Sequence, residues 1–276
     1  MTIASDHHSG LQQHRSRRGA LLAAIILSFL ASPAIASDSD RTVNYLVIDS
    51  KAAPFQIVQG GKSHGGIVSD LVDAIFEPSS YGVKHRVLPV NRLKQMARER
   101  QVRHWVTYDA TQWATFEDVG TMIHEPLFST HHVLLTCAPT IPDRISDVEA
   151  LDGRRLVTLR HFEYPPIEAA SQKGRLKQVA IDRYEAGIRL VELQRVDGFV
   201  EMKSRLQYHM TFRDRPPADC LRWIDLDEVI PDFDIYLAVD ADWPPDFRDY
   251  VAQRIRELRD QGRIRDIRSS YLTEER

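Results

Sequence analysis

The 276-residue chain has only two cysteines, Cys137 and Cys220. In an exported protein that even count permits one disulfide, and two separate buried thiols are the alternative. Basic residues are not in excess either. Lys and Arg number 36 against 39 Asp and Glu, for a formal charge of −3. A nucleic-acid surface needs clustered basic residues, so that class of partner is excluded. No long apolar run follows residue 36, so no membrane span is expected beyond that point. There is also no Gly-rich phosphate loop, nucleophile elbow or Cys–His pair, so no cofactor is expected. His131 and His132, with His104 and His124 nearby, do not have the spacing of a metal site. Adjacent residues on an extended strand point to opposite faces and cannot chelate one ion together. Asp109, Asp197 and Glu201 form no recognisable acid–base pair, and no catalytic residue is assigned.

What is present begins with an address. Arg15, Arg17 and Arg18 precede an apolar run from Ala20 to Leu30, and Pro33-Ala34-Ile35-Ala36 ends on small-x-small. Residues 1–36 therefore read as a signal peptide cleaved before Ser37, with general secretion favoured over twin-arginine export. These residues hold three Arg and one Asp, so their removal takes the formal charge from −3 to about −5. The remaining ~240 residues suffice for two lobes.

The pattern after residue 41 alternates strand and helix. Strands are expected at Val43–Ile48, Val83–Val90 and Trp105–Tyr108, with helices at Val68–Phe76 and from an Asn91 cap to Arg100. Gly60-Gly61 with Gly65-Gly66 suggests a hairpin or loose loop. Such alternation predicts a parallel, doubly wound sheet. Glu125 to Pro139 reads as an extended crossing segment, and the pattern then restarts. Strands follow at Arg155–Leu159, Gln178–Ile181, Gly198–Val200 and Leu221–Leu226. A second apolar run, Phe233 to Val239, reads as a return crossing. Phe247, Val251, Ile255 and Leu258 then stripe one face of a tail helix that stops at Gly262, and Ile264 and Ile267 repeat the stripe. The predicted architecture is α/β, with two doubly wound lobes joined by two crossing strands. Residues 41–130 with 238–276 form the first lobe, and 131–237 form the second.

The order of landmarks resembles the extracytoplasmic solute-binding proteins of family 3. Ala53-Pro54-Phe55 followed by Gly66-Ile67-Val68-Ser69-Asp70-Leu71 is similar to that family's opening motif. Glu125-Pro126-Leu127 is similar to its exit from lobe one, and Asp147 to Arg155 to its entry into lobe two. Leu193 to Gly198 resembles its "G-R-x-D-A" motif. The likeness implies a type 2 periplasmic binding fold and a periplasmic location. It also implies a monomer that captures a small polar or anionic solute for an ABC transporter permease, or for a sensor. The chain departs from the family at the ligand positions. Ala52 replaces an aromatic residue, and Thr111-Gln112-Trp113-Ala114 lacks the arginine that grips a carboxylate. Met202 replaces the acid that holds an ammonium, with Glu201 one residue early.

Open α/β sheets bind ligands at the carboxyl ends of their strands. The candidates chosen on that rule are Phe55, Arg92, Trp105, Tyr108, Phe162, Tyr164 and Glu201. Arg92 offers a bidentate partner for a carboxylate or phosphate. The aromatic residues offer walls, with at least one of Trp105 and Tyr108 packed in a core. The rivals are a periplasmic enzyme on the same scaffold, resembling cyclohexadienyl dehydratases, and a ligand-sensing module for a signalling partner.

Overall fold

A computed structural model describes residues 41–272. The leader reading lies outside the described residues. The first sheet is built from β1 (Thr42–Ile48), β4 (Gly82–Leu88), β5 (Trp105–Asp109), β6 (Gly120–Met122) and β13 (Phe233–Asp240), in the order β4-β1-β5-β13-β6. The second is built from β8 (His132–Thr136), β9 (Arg155–Leu159), β10 (Lys177–Ile181), β11 (Gly198–Met202) and β12 (Arg222–Asp225), in the order β10-β9-β11-β8-β12. The parallel sheet expected from the alternation is present in part. β4, β1 and β5 run parallel, as do β10, β9 and β11, but β13 is antiparallel to β5 and β8 is antiparallel to β11. Each antiparallel strand arrives by crossing from the other lobe rather than through a βαβ connection, which alone imposes parallel direction.

The crossing has a definite construction. β7 (Phe128–Thr130) ends one residue before β8, so the chain passes between sheets at His131. On its return, β13 pairs antiparallel with β7, matching Phe233 with Thr130 and Ile235 with Phe128. The two linking strands are therefore hydrogen-bonded to each other, which makes the link a short two-stranded ribbon.

Both central sheets are covered on two faces, which is why every residue of β5 and β11 is buried. On one face of the first sheet, Val43, Tyr45 and Val47 pack against α1 (Ile67–Phe76), α6 (Pro245–Asp260) and α7 (Arg263–Tyr271). On the other, Leu46 and Trp105 pack against Leu93 and Ala97 of α2 (Val90–Arg98). Asn91 is inside α2 rather than capping it. Pro89 takes the cap position, its fixed φ suiting the turn into the helix. The hairpin suggested by the glycines is formed by β2 (Val58–Gln59) and β3 (Lys62–Ser63).

The stripe on α6 is buried as its spacing predicts, and α7 ties the tail to the opening motif. The Tyr271 hydroxyl accepts from the Gly66 N–H at 2.9 Å and donates to Asp70 Oδ2 at 2.7 Å. Gly66 has φ 114°, and a Cβ there would lie 2.7 Å from the Phe55 carbonyl oxygen, so only glycine lets the loop pass this close. Arg256 and Arg259, on the exposed face of α6, hold Glu125 at the end of the first lobe, and Arg259 is the main reason its carboxyl lies below the usual range. Within the second lobe, Cys137 and Cys220 are joined in a disulfide with Cα atoms 4.9 Å apart. It links the end of β8 to the residues just before its partner strand β12.

Candidate functional site

Where the two lobes face each other, side chains from both converge on one guanidinium. Arg205 lies on α5 (Lys203–Thr211), the helix that starts directly from β11. It is only 2 % exposed. Its Cζ lies 5.4 Å from the ring centre of Phe55, from the first lobe, and 4.6 Å from that of Phe162, from the second. Both distances fall within reach of a cation–π attraction. Nη1 lies 3.7 Å from Glu201 Oε1, an ion pair but not a hydrogen bond. Nε and Nη1 of this buried group have no hydrogen-bond partner among the described residues. A buried guanidinium with donors left in that condition is costly, and an acceptor that reaches them relieves the cost.

Glu201 is completely buried, yet both of its oxygens are engaged. The Tyr164 hydroxyl donates to Oε2 at 2.8 Å and the Met202 N–H to Oε1 at 2.8 Å. Burial pushes this carboxyl above the ordinary range, while Arg205 and the two donors pull against that rise. Burial likewise raises the Tyr108 hydroxyl, and the neighbouring Arg205 opposes it. Tyr164 is raised further, first by burial and then by the adjacent Glu201 charge. His132, on the crossing, packs edge-on against Tyr164 at 5.9 Å and tilted against Phe233 at 5.8 Å. Its Nδ1 has no partner among the described residues, and burial first, then Arg205, brings its pKa down to about 4. The imidazole is thus neutral at pH 7.

Five of the seven sequence candidates meet here: Phe55, Tyr108, Phe162, Tyr164 and Glu201. Phe55 sits in the loop after β1, packed edge-on to Tyr108 at 5.8 Å and tilted to Phe128 at 5.5 Å. Tyr164 precedes the first residue of α3 (Pro165–Gln172). The other two do not join the cluster. Arg92 is exposed and donates to Gln95 Oε1 within its own helix at 2.9 Å. Trp105 packs with Leu46, Leu93 and Phe116 on the far face of the sheet. Residues 105 and 108 are separated by an odd number of positions, so a strand must send them to opposite faces.

Arg205 was not among the sequence candidates, although a signal for it exists. It follows Glu201 by four residues across the strand-to-helix junction, the spacing at which opposite charges meet. It also lies next to the buried Leu206 on a helix that reads as polar overall.

Other interlobe contacts run through Lys51. The Tyr184 hydroxyl donates to the Lys51 carbonyl oxygen at 3.4 Å, and Lys51 Nζ reaches Asp182 at 3.6 Å. Lys51 belongs to the first lobe, whereas Tyr184 opens α4 (Tyr184–Glu192) in the second.

No family model and no curated protein matches the sequence. Solved structures do. The periplasmic VFT2 domain of Bordetella pertussis BvgS superposes with a TM-score of 0.63 at 18% identity, covering 84% of this chain and 94% of that one. The chain has the type 2 periplasmic binding fold. An ABC uptake transporter substrate-binding protein from Streptococcus pneumoniae, with bound histidine, shares this periplasmic binding fold at a TM-score of 0.63 and 12% identity, over 86% of this chain and 94% of that one. So does substrate-binding domain 2 of Lactococcus lactis GlnP in an open conformation, at 0.59 and 14%, over 86% and 97%.

Proposed function

We propose that the protein is a periplasmic, two-lobed receptor for a small organic anion, with Arg205 gripping the ligand carboxylate. The observation that carries this reading is the buried Arg205 guanidinium, with Nε and Nη1 unpartnered between aromatic rings from opposite lobes. Phe55 and Tyr108 form the first-lobe wall, and Phe162, Tyr164 and Glu201 the second. Glu201 is oriented by Tyr164 and holds Arg205 in place. Residues 41–130 with 238–272 act as one rigid lobe and 131–237 as the other, flexing about the β7–β13 ribbon. The ligand enters with the lobes apart and is enclosed when they meet, the hinge closure by which such folds report occupancy. The partner is a membrane transporter or a membrane-bound sensor that reads the closed form. The structural neighbours include both a transporter's substrate-binding protein and a domain of BvgS, and their fold supports either partner.

A thermal-shift screen of organic carboxylates, phosphates and amines tests this reading, followed by small-angle scattering with and without each hit. Carboxylates should stabilise the wild type, compact it, and have no effect on Arg205→Met. Stabilisation without compaction counts against closure, and hits confined to cations count against the anion grip. One observation favours an elimination enzyme as a second reading: Glu201 is a buried carboxyl with a raised pKa. Product formation from prephenate or arogenate would establish it. Because both Glu201 oxygens are already engaged within the second lobe, binding is the better-supported role.

A further inference from the structure

We propose that the cleft selects hydroxylated aromatic carboxylates, the ligand's carboxylate meeting Arg205 and its hydroxyl meeting His132. The inference rests on the receptor reading above and names the ligand class of that same site.

His132 opens β8, where it stands opposite Met202 of β11. Side chains of directly paired residues share a face, and Met202 packs into the core of the first lobe. His132 therefore faces the first lobe. It is 5 % exposed, and its Nδ1 is buried without a hydrogen-bond partner among the described residues. A buried polar atom in that condition calls for a partner that the chain itself does not supply. In a neutral imidazole one nitrogen donates and the other accepts, and a hydroxyl serves either role. An ammonium does not fit, because a cation is already there: Arg205 adds to the lowering of the His132 pKa that burial begins.

An unbroken line of rings joins these two polar points. From His132 it runs to Phe233 at 5.8 Å between centres, on to Trp113 at 5.5 Å, Tyr108 at 6.0 Å and Phe55 at 5.8 Å, and the Phe55 ring centre lies 5.4 Å from Arg205 Cζ. From the second lobe, Tyr164 spans the same interval. Its ring meets His132 edge-on at 5.9 Å, and its hydroxyl reaches Glu201, the ion-pair partner of Arg205. One phenol ring thus bridges His132 to the charge pair, so one aromatic ring is the length a ligand needs between its own two polar groups. Walls of rings also suit a flat π-system, which adds edge and stacking contacts to the gain from burial. A short aliphatic acid reaches Arg205 but leaves the His132 nitrogen and most of the rings unmet.

The test measures by titration calorimetry how tightly the purified protein binds phenylacetate and para-hydroxyphenylacetate, with acetate and succinate as aliphatic controls. The hydroxylated acid should bind at least about tenfold more tightly than phenylacetate, because without the hydroxyl a buried nitrogen stays unpaired. Phenylacetate should in turn bind more tightly than either aliphatic acid. His132→Phe should erase the advantage of the hydroxyl while leaving phenylacetate affinity within about threefold, and His132→Gln, which keeps a hydrogen-bonding group, should retain part of it. Equal affinity for the two aromatic acids, a hydroxyl advantage that survives in His132→Phe, or binding of the aliphatic acids alone would overturn the inference and leave the anion receptor standing. Binding of none of the four would overturn it as well, and the wider carboxylate screen above then decides the receptor reading separately.

Discussion

Replacing Arg205 with Met tests the charge pair at the centre of the cleft. Breaking one side of a buried ion pair costs about 3–5 kcal/mol, because the other charge is left unmatched. Here Glu201 keeps the Tyr164 hydroxyl and the Met202 N–H, so the lower end applies, about 3 kcal/mol. For a chain of this size, that lowers the melting temperature by roughly 6–12 °C. The loss should depend on pH. Without Arg205, the Glu201 carboxyl, already raised by burial, rises further. The folded state then binds more protons than the unfolded state above the ordinary carboxylate pKa, so its stability grows as pH falls. The deficit of Arg205→Met should therefore shrink between pH 8 and pH 5. Adding Glu201→Gln removes the stranded charge, and the double variant should recover at least about 1 kcal/mol relative to the sum of the single variants. Chemical denaturation at several pH values measures all three effects. A deficit under about 1 kcal/mol that is flat with pH and additive in the double variant would refute the reasoning.

Two further predictions concern the crossing and the second lobe. The pKa of His132 is depressed to about 4, so the unfolded chain takes up a proton there that the folded chain refuses. Stability should be lost as pH falls from about 6.5 towards 4, by up to roughly 3 kcal/mol. His132→Phe should flatten that part of the profile; an unchanged profile would remove His132 as its cause. The Cys137–Cys220 bridge closes a loop with a sequence separation of 83. On chain entropy alone, replacing both with Ser should cost about 4–5 kcal/mol, read as a lower denaturation midpoint, and a loss under about 1 kcal/mol would show the bridge to be thermodynamically idle.

Much of the fold was legible because it depends on periodicity and order. The α6 stripe, the apolar strands and the two crossing runs are local patterns, and the buried sides of these elements follow from them. Strand direction was not legible for β8 and β13, since a sequence does not state from which side a strand enters a sheet. The Cys137–Cys220 pairing was also out of reach, because it depends on β12 lying against β8. In the site, Phe55, Phe162 and Tyr164 are legible because they follow strands on loops that face the gap, whereas Tyr108 lies on β5 itself. Arg92 was chosen for its place after a strand, but its helix turns it to solvent. Arg205 is not legible, because a charged residue in a polar-looking helix ordinarily faces water. Rings from both lobes, Phe55 and Phe162, close over it.

The most direct test is to denature the purified wild-type protein and identify the small molecules it releases by mass spectrometry, beside Arg205→Met purified in the same way. The account predicts an organic carboxylate released from the wild type in near-stoichiometric amount and missing from the variant. A cation or a neutral molecule, or the same carboxylate released equally by both proteins, would contradict it.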